Sequence, residues 1–63
     1  MTLNKYLSIR DMNAAEFARL SGVSTGTLSR ILRGQRLPSW ATIQAIEAAT
    51  KGRVGPDAWR QAA

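Results

Sequence analysis

The residues of this sequence whose types and spacing could do chemistry are arginines and small hydroxyl residues in its middle third. The chain has no acidic residue between Phe17 and Ile46, where it carries Arg19, Arg30, Arg33 and Arg36. A guanidinium group without an internal carboxylate partner is free to donate paired hydrogen bonds to an external anion. Serine and threonine hydroxyls accompany two of these arginines in the segment "STGTLSRILR". This pattern indicates that the segment binds an anionic partner.

The overall composition points the same way and argues against catalysis. The 63 residues contain nine Lys and Arg against four Asp and Glu, a formal charge of +5, with no Cys and no His. Disulfides, thiol chemistry, zinc ligation by nitrogen or sulfur and a histidine base are therefore excluded, and no cofactor is expected. The only acids in the second half, Glu47 and Asp57, are too far apart in sequence to suggest a catalytic carboxylate pair. The charge favours a polyanion such as nucleic acid, or an acidic membrane surface.

The elements that must position these residues are predicted to be short helices. Thr2, Asn13, Ser24 and Ser39 are cap-type residues. Glu16 stands three residues after Asn13, as in a capping box. Gly22, Gly34 and Gly52 fall where helices should end. The expected helices run from Thr2 to about Asp11, from Ala14 to about Ser21, from Ser24 to about Arg33 and from Trp40 to about Lys51, and a short fifth begins at Pro56.

Apolar residues at helical spacing predict the core. The inward residues are Leu3, Tyr6, Leu7, Ala14, Phe17, Ala18, Leu20, Leu28, Ile31 and Leu32, followed on the fourth helix by Trp40, Ile43, Ile46 or Glu47, and Thr50. Trp59 either packs back on this core or forms a dimer contact together with Val54. The chain is expected to form one domain over residues 1–63.

The third helix separates two kinds of side chain when its residues are placed about 100° apart. Leu28, Ile31 and Leu32 define the core side. Ser29, Arg33, Gly26 and Arg30 occupy the opposite side, and Thr25 and Thr27 fall on its edges. In the major groove of DNA an arginine can donate a bidentate pair to guanine, and hydroxyls can contact bases or phosphates.

Two helices joined by a turn of three or four residues form the helix-turn-helix, whose second helix lies in the major groove. The segment from Asn13 to Pro38 resembles the phage repressor and Cro type of this domain. The matching residues are Ala18, Gly22, Val23, Leu28, Ile31 and Gly34, and the segment "PSWATIQAIEAAT" is similar to the helix that follows in that family. The resemblance implies an all-α fold, a compact bundle of four to five short helices like that of lambda repressor.

The resemblance also implies which residues meet DNA. The family's base-reading positions fall on Ser24, Thr25, Gly26, Ser29 and Arg30. Phosphate contacts are expected from Asn13, Thr27, Arg33, Arg36, Ser39 and Trp40. Two positions depart from the family pattern: Ala14 stands where many members carry glutamine, and Gly26 replaces a long reading side chain. Either the helix approaches the groove unusually closely at Gly26, or that base is not read.

These observations predict a sequence-specific double-stranded DNA-binding transcriptional regulator of the Cro/repressor type, without enzymatic activity. The resemblance suggests a bacterial or phage-encoded cytoplasmic protein, which is expected to bind as a homodimer on half-sites about one helical turn apart. No apolar run approaches the roughly 20 residues of a membrane span. The alternative is a small protein-interaction or antitoxin-like module on the same helices. A basic amphipathic membrane binder fits less well, because the core needs the apolar stripe.

Overall fold

The computed structural model describes residues 1–59, which form four α-helices and a final 3-10 turn. The elements are α1 (Leu3–Ile9), α2 (Ala14–Ser21), α3 (Thr25–Leu32), α4 (Trp40–Ala49) and the 3-10 turn Pro56–Trp59. The predicted fifth helix is thus a 3-10 turn in its first part, and the rest of it lies outside the described residues. No strand occurs in residues 1–59, so the all-α prediction is confirmed.

Each helix begins directly after the cap residue that the sequence predicts. The side chains of Thr2, Asn13, Ser24 and Ser39 accept hydrogen bonds from the backbone N–H groups three residues on, over 3.1, 2.9, 3.2 and 3.3 Å. Glu16 completes the capping box, since its Oε1 accepts from the Asn13 N–H at 3.0 Å. These bonds satisfy amides that have no partner within the helix.

Two helices end earlier than predicted, because residues other than glycine take the left-handed conformation. α1 ends at Ile9 rather than Asp11, and α4 ends at Ala49 rather than Lys51. Asp11 has φ 52° and Lys51 has φ 55°. The following N–H groups then turn back onto the helix, Met12 to the Leu7 carbonyl at 2.9 Å and Gly52 to the Glu47 carbonyl at 2.8 Å. Lys51, rather than Gly52 alone, therefore makes the turn that ends α4.

The core lies around α2, which packs against both α3 and α4. Phe17 on α2, Leu28 on α3 and Ile46 on α4 have no exposed surface. α1 adds Leu3, Tyr6 and Leu7 to the same cluster. The rings of Tyr6 and Phe17 meet edge to face, with centroids 6.1 Å apart and planes at 67°.

The prediction that Trp40 and Leu20 are core residues is wrong. Trp40 is 62 % exposed and Leu20 is 59 % exposed. Trp40 is the first residue of α4 and Leu20 lies in the last turn of α2. Helical spacing gives the direction of a side chain around the axis, but not how far the neighbouring elements extend along it. Trp40 and Leu20 therefore lie at helix ends that extend beyond the edge of the core.

The segment after α4 folds back onto the core. Val54 is fully buried, and Trp59 is half-buried and packs against the core cluster. Packing of Trp59 on the core is confirmed, whereas Val54 has no surface left for a dimer contact. In the described part of the chain, no helix has the length and apolar character needed to cross a membrane.

Candidate nucleic-acid interface

The connection between α2 and α3 is a short turn whose backbone is held by hydrogen bonds. Gly22 has φ 76°, and its N–H donates to the Ala18 carbonyl at 2.9 Å. The Val23 N–H donates to Ser21 Oγ at 3.3 Å, and half-buried Val23 packs against the core. Ser24 then caps α3. Three residues thus connect the two helices, and α3 packs against α2.

α3 buries one side and leaves the other open. Leu28 is fully buried and Ile31 is 7 % exposed, while Leu32 packs against the core. Thr25, Gly26 and Arg30 are exposed, and Ser29 is half-buried. The structure therefore brings four of the five expected base-reading residues onto one accessible face of α3.

The fifth expected base-reading residue, Ser24, is engaged in the cap. Its hydroxyl donates to Thr27 Oγ1 at 2.8 Å and accepts from the Thr27 N–H at 3.2 Å. Its own hydrogen is therefore committed, and the hydroxyl hydrogen of Thr27 is the one left to donate outward. This arrangement suits Thr27 to an acceptor such as a phosphate oxygen.

Three arginines surround the C-terminal end of α3. Arg30 is in the last turn, Arg33 is the C-terminal cap residue and Arg36 lies in the following loop, and all three are exposed. Within residues 1–59, none of their guanidinium groups forms an ion pair or hydrogen bond with another side chain. Their positive charge is available to an outside anion.

The N-termini of α2 and α4 supply the remaining expected phosphate contacts. Asn13 uses its Oδ1 in the capping box, and its side chain is exposed with the amide group unused by the cap. Half-buried Ala14 packs on the core and brings no polar group of its own. Ser39 Oγ lies 3.0 Å from Thr42 Oγ1, and Trp40 beside it is exposed. Exposure leaves the indole N–H of Trp40 accessible at the start of α4.

Gly26 has no structural need to be glycine. Its backbone is ordinary right-handed helix, and apart from its chain neighbours and the backbone of its own helix no atom lies within 4 Å of the place where a Cβ would stand. Glycine in a helix is less favourable than alanine by roughly 0.5–1 kcal/mol. The fold would therefore accept, and gain from, a larger residue at this position.

Comparison with known proteins agrees with this geometry. A helix-turn-helix family model matches residues 9–54, a span that takes in the end of α1, all of α2, α3 and α4, and Val54. Searches of curated proteins and of solved structures gave no match. The matched span covers most of the chain and contains the capped turn and the exposed face of α3. The chain therefore belongs to the Cro/C1-type, lambda-repressor-like helix-turn-helix family, a family of DNA-binding domains that are typically not catalytic.

Proposed function

We propose that this protein binds double-stranded DNA at a specific sequence, with α3 lying in the major groove. The observation that carries the proposal is the exposed face of α3, which presents hydroxyls, a glycine and a guanidinium group opposite the buried Leu28 and Ile31. An α-helix fits the width of the major groove, where each base pair offers a distinct pattern of donors and acceptors.

Base reading is assigned to the N-terminal half and the outer side of α3. Arg30 donates to the O6 and N7 of a guanine, since a guanidinium fork matches those two acceptors. Thr25 and Ser29 contact base edges through hydroxyl or methyl groups. Gly26 allows the helix backbone to approach the groove floor, and Ser24 accepts at most one further hydrogen bond because its cap uses the rest.

Phosphate contacts come from both sides of the groove. Arg33 and Arg36 bind one strand beyond the end of α3, where their charge is unpaired within the described residues. The first turns of α2 and α4 face the backbone through free amides, whose partial positive charge favours phosphate. The side chains that accompany these contacts are Asn13, Thr27, Ser39 and Trp40.

The biological role that fits this activity is transcriptional regulation by occupancy, in which the bound protein blocks or recruits polymerase at its site. Residues 1–63 form a single domain in this proposal, and the protein is cytoplasmic and encoded by a bacterium or a phage. The protein binds DNA as a homodimer, because one copy of this size offers few base contacts and a repeated half-site doubles them.

Selection of bound sequences from a random duplex pool tests the proposal. We expect an enriched motif with two related half-sites about 10–10.5 base pairs apart, centre to centre. A motif with one half-site would support specific binding and reject the dimer. Recovery of no motif at any salt concentration would reject specific DNA binding.

A second candidate function is docking to another protein, and exposed apolar side chains favour it. Leu37 and Trp40 are each 62 % exposed and lie close in sequence beside the α4 cap. Protein docking through these side chains would depend little on salt, whereas phosphate contacts weaken steeply as salt rises. A Trp40→Ala variant that keeps full affinity for duplex DNA but loses a protein partner would favour the second function.

A further inference from the structure

A cleft lies at the C-terminal ends of α2 and α4, opposite the capped N-termini that are candidate phosphate contacts. It has a volume of about 390 Å³ and is bounded by the C-terminal ends of α1, α2 and α4. We propose that this cleft binds a small amphipathic organic anion, a molecule with an apolar body and a carboxylate or phosphate head. This inference does not rest on the proposed function.

Positively charged side chains make the cleft attractive to an anion. Arg10, Lys51 and Arg53 line it, and no carboxylate does. Asp11, the nearest acid in sequence, lines a separate groove with Glu16. Each of the three helix C-termini contributes about half a negative charge. Three full positive charges exceed that sum, so the cleft remains attractive to an anion.

The cleft also has an apolar lining. Met12, Leu20 and Ala49 form part of the wall. Leu20 is 59 % exposed, although its position on α2 suggests a core residue. Pockets for small molecules are typically about 300–1,000 Å³ and combine apolar walls with a few polar groups. An apolar body resting on Leu20 would cover surface that the fold leaves in water.

Two of the cations, Arg10 and Lys51, have positions that the fold restricts. The Arg10 guanidinium carbon lies 5.4 Å from the centre of the Tyr6 ring, which limits its freedom before any ligand arrives. Lys51 has φ 55°, in the left-handed region that is costly for residues other than glycine. The dipole of α4 favours a cation there, but it gives no reason for Arg10 and Arg53 to join it in one cleft.

The cleft is separated from the two helix N-termini that are proposed to meet phosphates. α2 has eight residues and α4 has ten, so their two ends lie about 12 and 15 Å apart at 1.5 Å per residue. Asn13 and Ser39 cap the ends that face the proposed phosphates, and the cleft is at the other ends. An anion in the cleft would therefore leave these two N-termini open to phosphate.

Titration of the ¹⁵N-labelled protein, followed by amide chemical shifts, tests this site. The probes are phenyl phosphate, phenylacetate, inorganic phosphate and benzyl alcohol. We expect phenyl phosphate or phenylacetate to shift the amides of Leu20, Ala49 and Arg53 and to bind at least about tenfold more tightly than inorganic phosphate or benzyl alcohol. The aromatic anion that binds more tightly identifies the head group that the cleft prefers.

Variants separate this site from general attraction of anions. Arg10→Gln and Arg53→Gln should each weaken binding of the aromatic anion by about tenfold. A loss of this size is typical of one charge-assisted hydrogen bond. Lys5→Gln, a matched control that removes one exposed positive charge on α1 outside the cleft, should leave binding of the aromatic anion unchanged, and equal melting temperatures confirm that the variants fold. Equal weakening by all three variants, equal binding of inorganic phosphate, or shifts confined to α3 would overturn the proposal.

Discussion

The hydroxyl of Thr50 accepts a hydrogen bond from the backbone N–H of Val54 at 3.0 Å. The same hydroxyl donates to the Ile46 carbonyl at 2.9 Å and lies 3.2 Å from that of Glu47. Thr50 is 2 % exposed and Val54 is fully buried. A single buried hydroxyl therefore joins the end of α4 to the chain that returns to the core.

Replacing Thr50 by Val should destabilise the fold by about 1–3 kcal/mol, because the Val54 N–H is left buried without a partner. The two side chains have nearly the same shape, so packing changes little. Thr50→Ser is the matched control, since it keeps the hydroxyl and loses one methyl group. Urea unfolding measures the stability. Amide hydrogen exchange at Val54 should accelerate in the Val variant only, and equal exchange in both variants would contradict the assigned role.

Replacing Lys51 by Gly should stabilise the free protein by about 0.5 kcal/mol. Relief of the left-handed backbone is worth roughly 1–2 kcal/mol, offset by the greater freedom of an unfolded glycine and the lost charge at the helix end. Gly34→Ala is the mirror test, because Gly34 has φ 76° and alanine there should destabilise. Thermal unfolding of both variants measures the pair. A less stable Lys51→Gly variant would show that the lysine side chain outweighs the backbone strain.

The features of the fold that could be predicted from the sequence are those in which a residue type has a specific backbone function. The caps at Thr2, Asn13, Ser24 and Ser39 could be predicted because an oxygen on a short side chain reaches the free amides of a first turn. The left-handed turns at Asp11 and Lys51 could not, since lysine has no preference for that conformation and the enrichment of aspartate in it is too small to predict a single position. The exposure of Trp40 was missed for another reason, namely that helical spacing does not show that the first turn of α4 lies beyond the edge of the core.

The candidate DNA surface was predictable as a face of α3, whereas the cleft was not predictable at all. Leu28 and Ile31 set the buried side of α3, and helical spacing then places Arg30 opposite. Arg10 and Arg53 are separated by most of the chain. Only the tertiary fold brings them to one cleft, and that arrangement leaves no local pattern in the sequence.

Replacing Arg30 by Ala should cost about 1–3 kcal/mol on the selected DNA site and relax the preference at one base pair. Arg33→Ala and Arg36→Ala should instead weaken specific and random duplexes alike and lower the slope of log affinity against log salt by about one each. Fluorescence anisotropy over a salt series measures both effects. An equal loss on specific and random DNA for Arg30→Ala would show that Arg30 reads no base.

Replacing Gly26 by Ala should raise the stability of the free protein and weaken specific DNA binding. A Cβ meets no atom beyond its chain neighbours and the backbone of its own helix, so helix propensity adds about 0.5–1 kcal/mol. In the complex the same methyl group would stand between the helix backbone and the groove. Gln44→Ala, on an exposed position of α4, is the control for a harmless surface change. Unchanged or stronger affinity for the selected site would show that α3 does not approach DNA closely at Gly26.

Replacing Asn13 by Asp separates the cap from the proposed phosphate contact. Aspartate is as good a cap as asparagine and favours the positive end of the helix dipole, so α2 should stay as stable or gain slightly. The variant loses the amide donor and places a negative charge where a phosphate is proposed, and duplex DNA of any sequence should therefore bind more weakly. Thr2→Asp makes a similar change at the cap of α1, where no DNA contact is proposed. Thermal unfolding and anisotropy of both variants decide the matter, because an equal loss of affinity in the two would mean that only net charge matters.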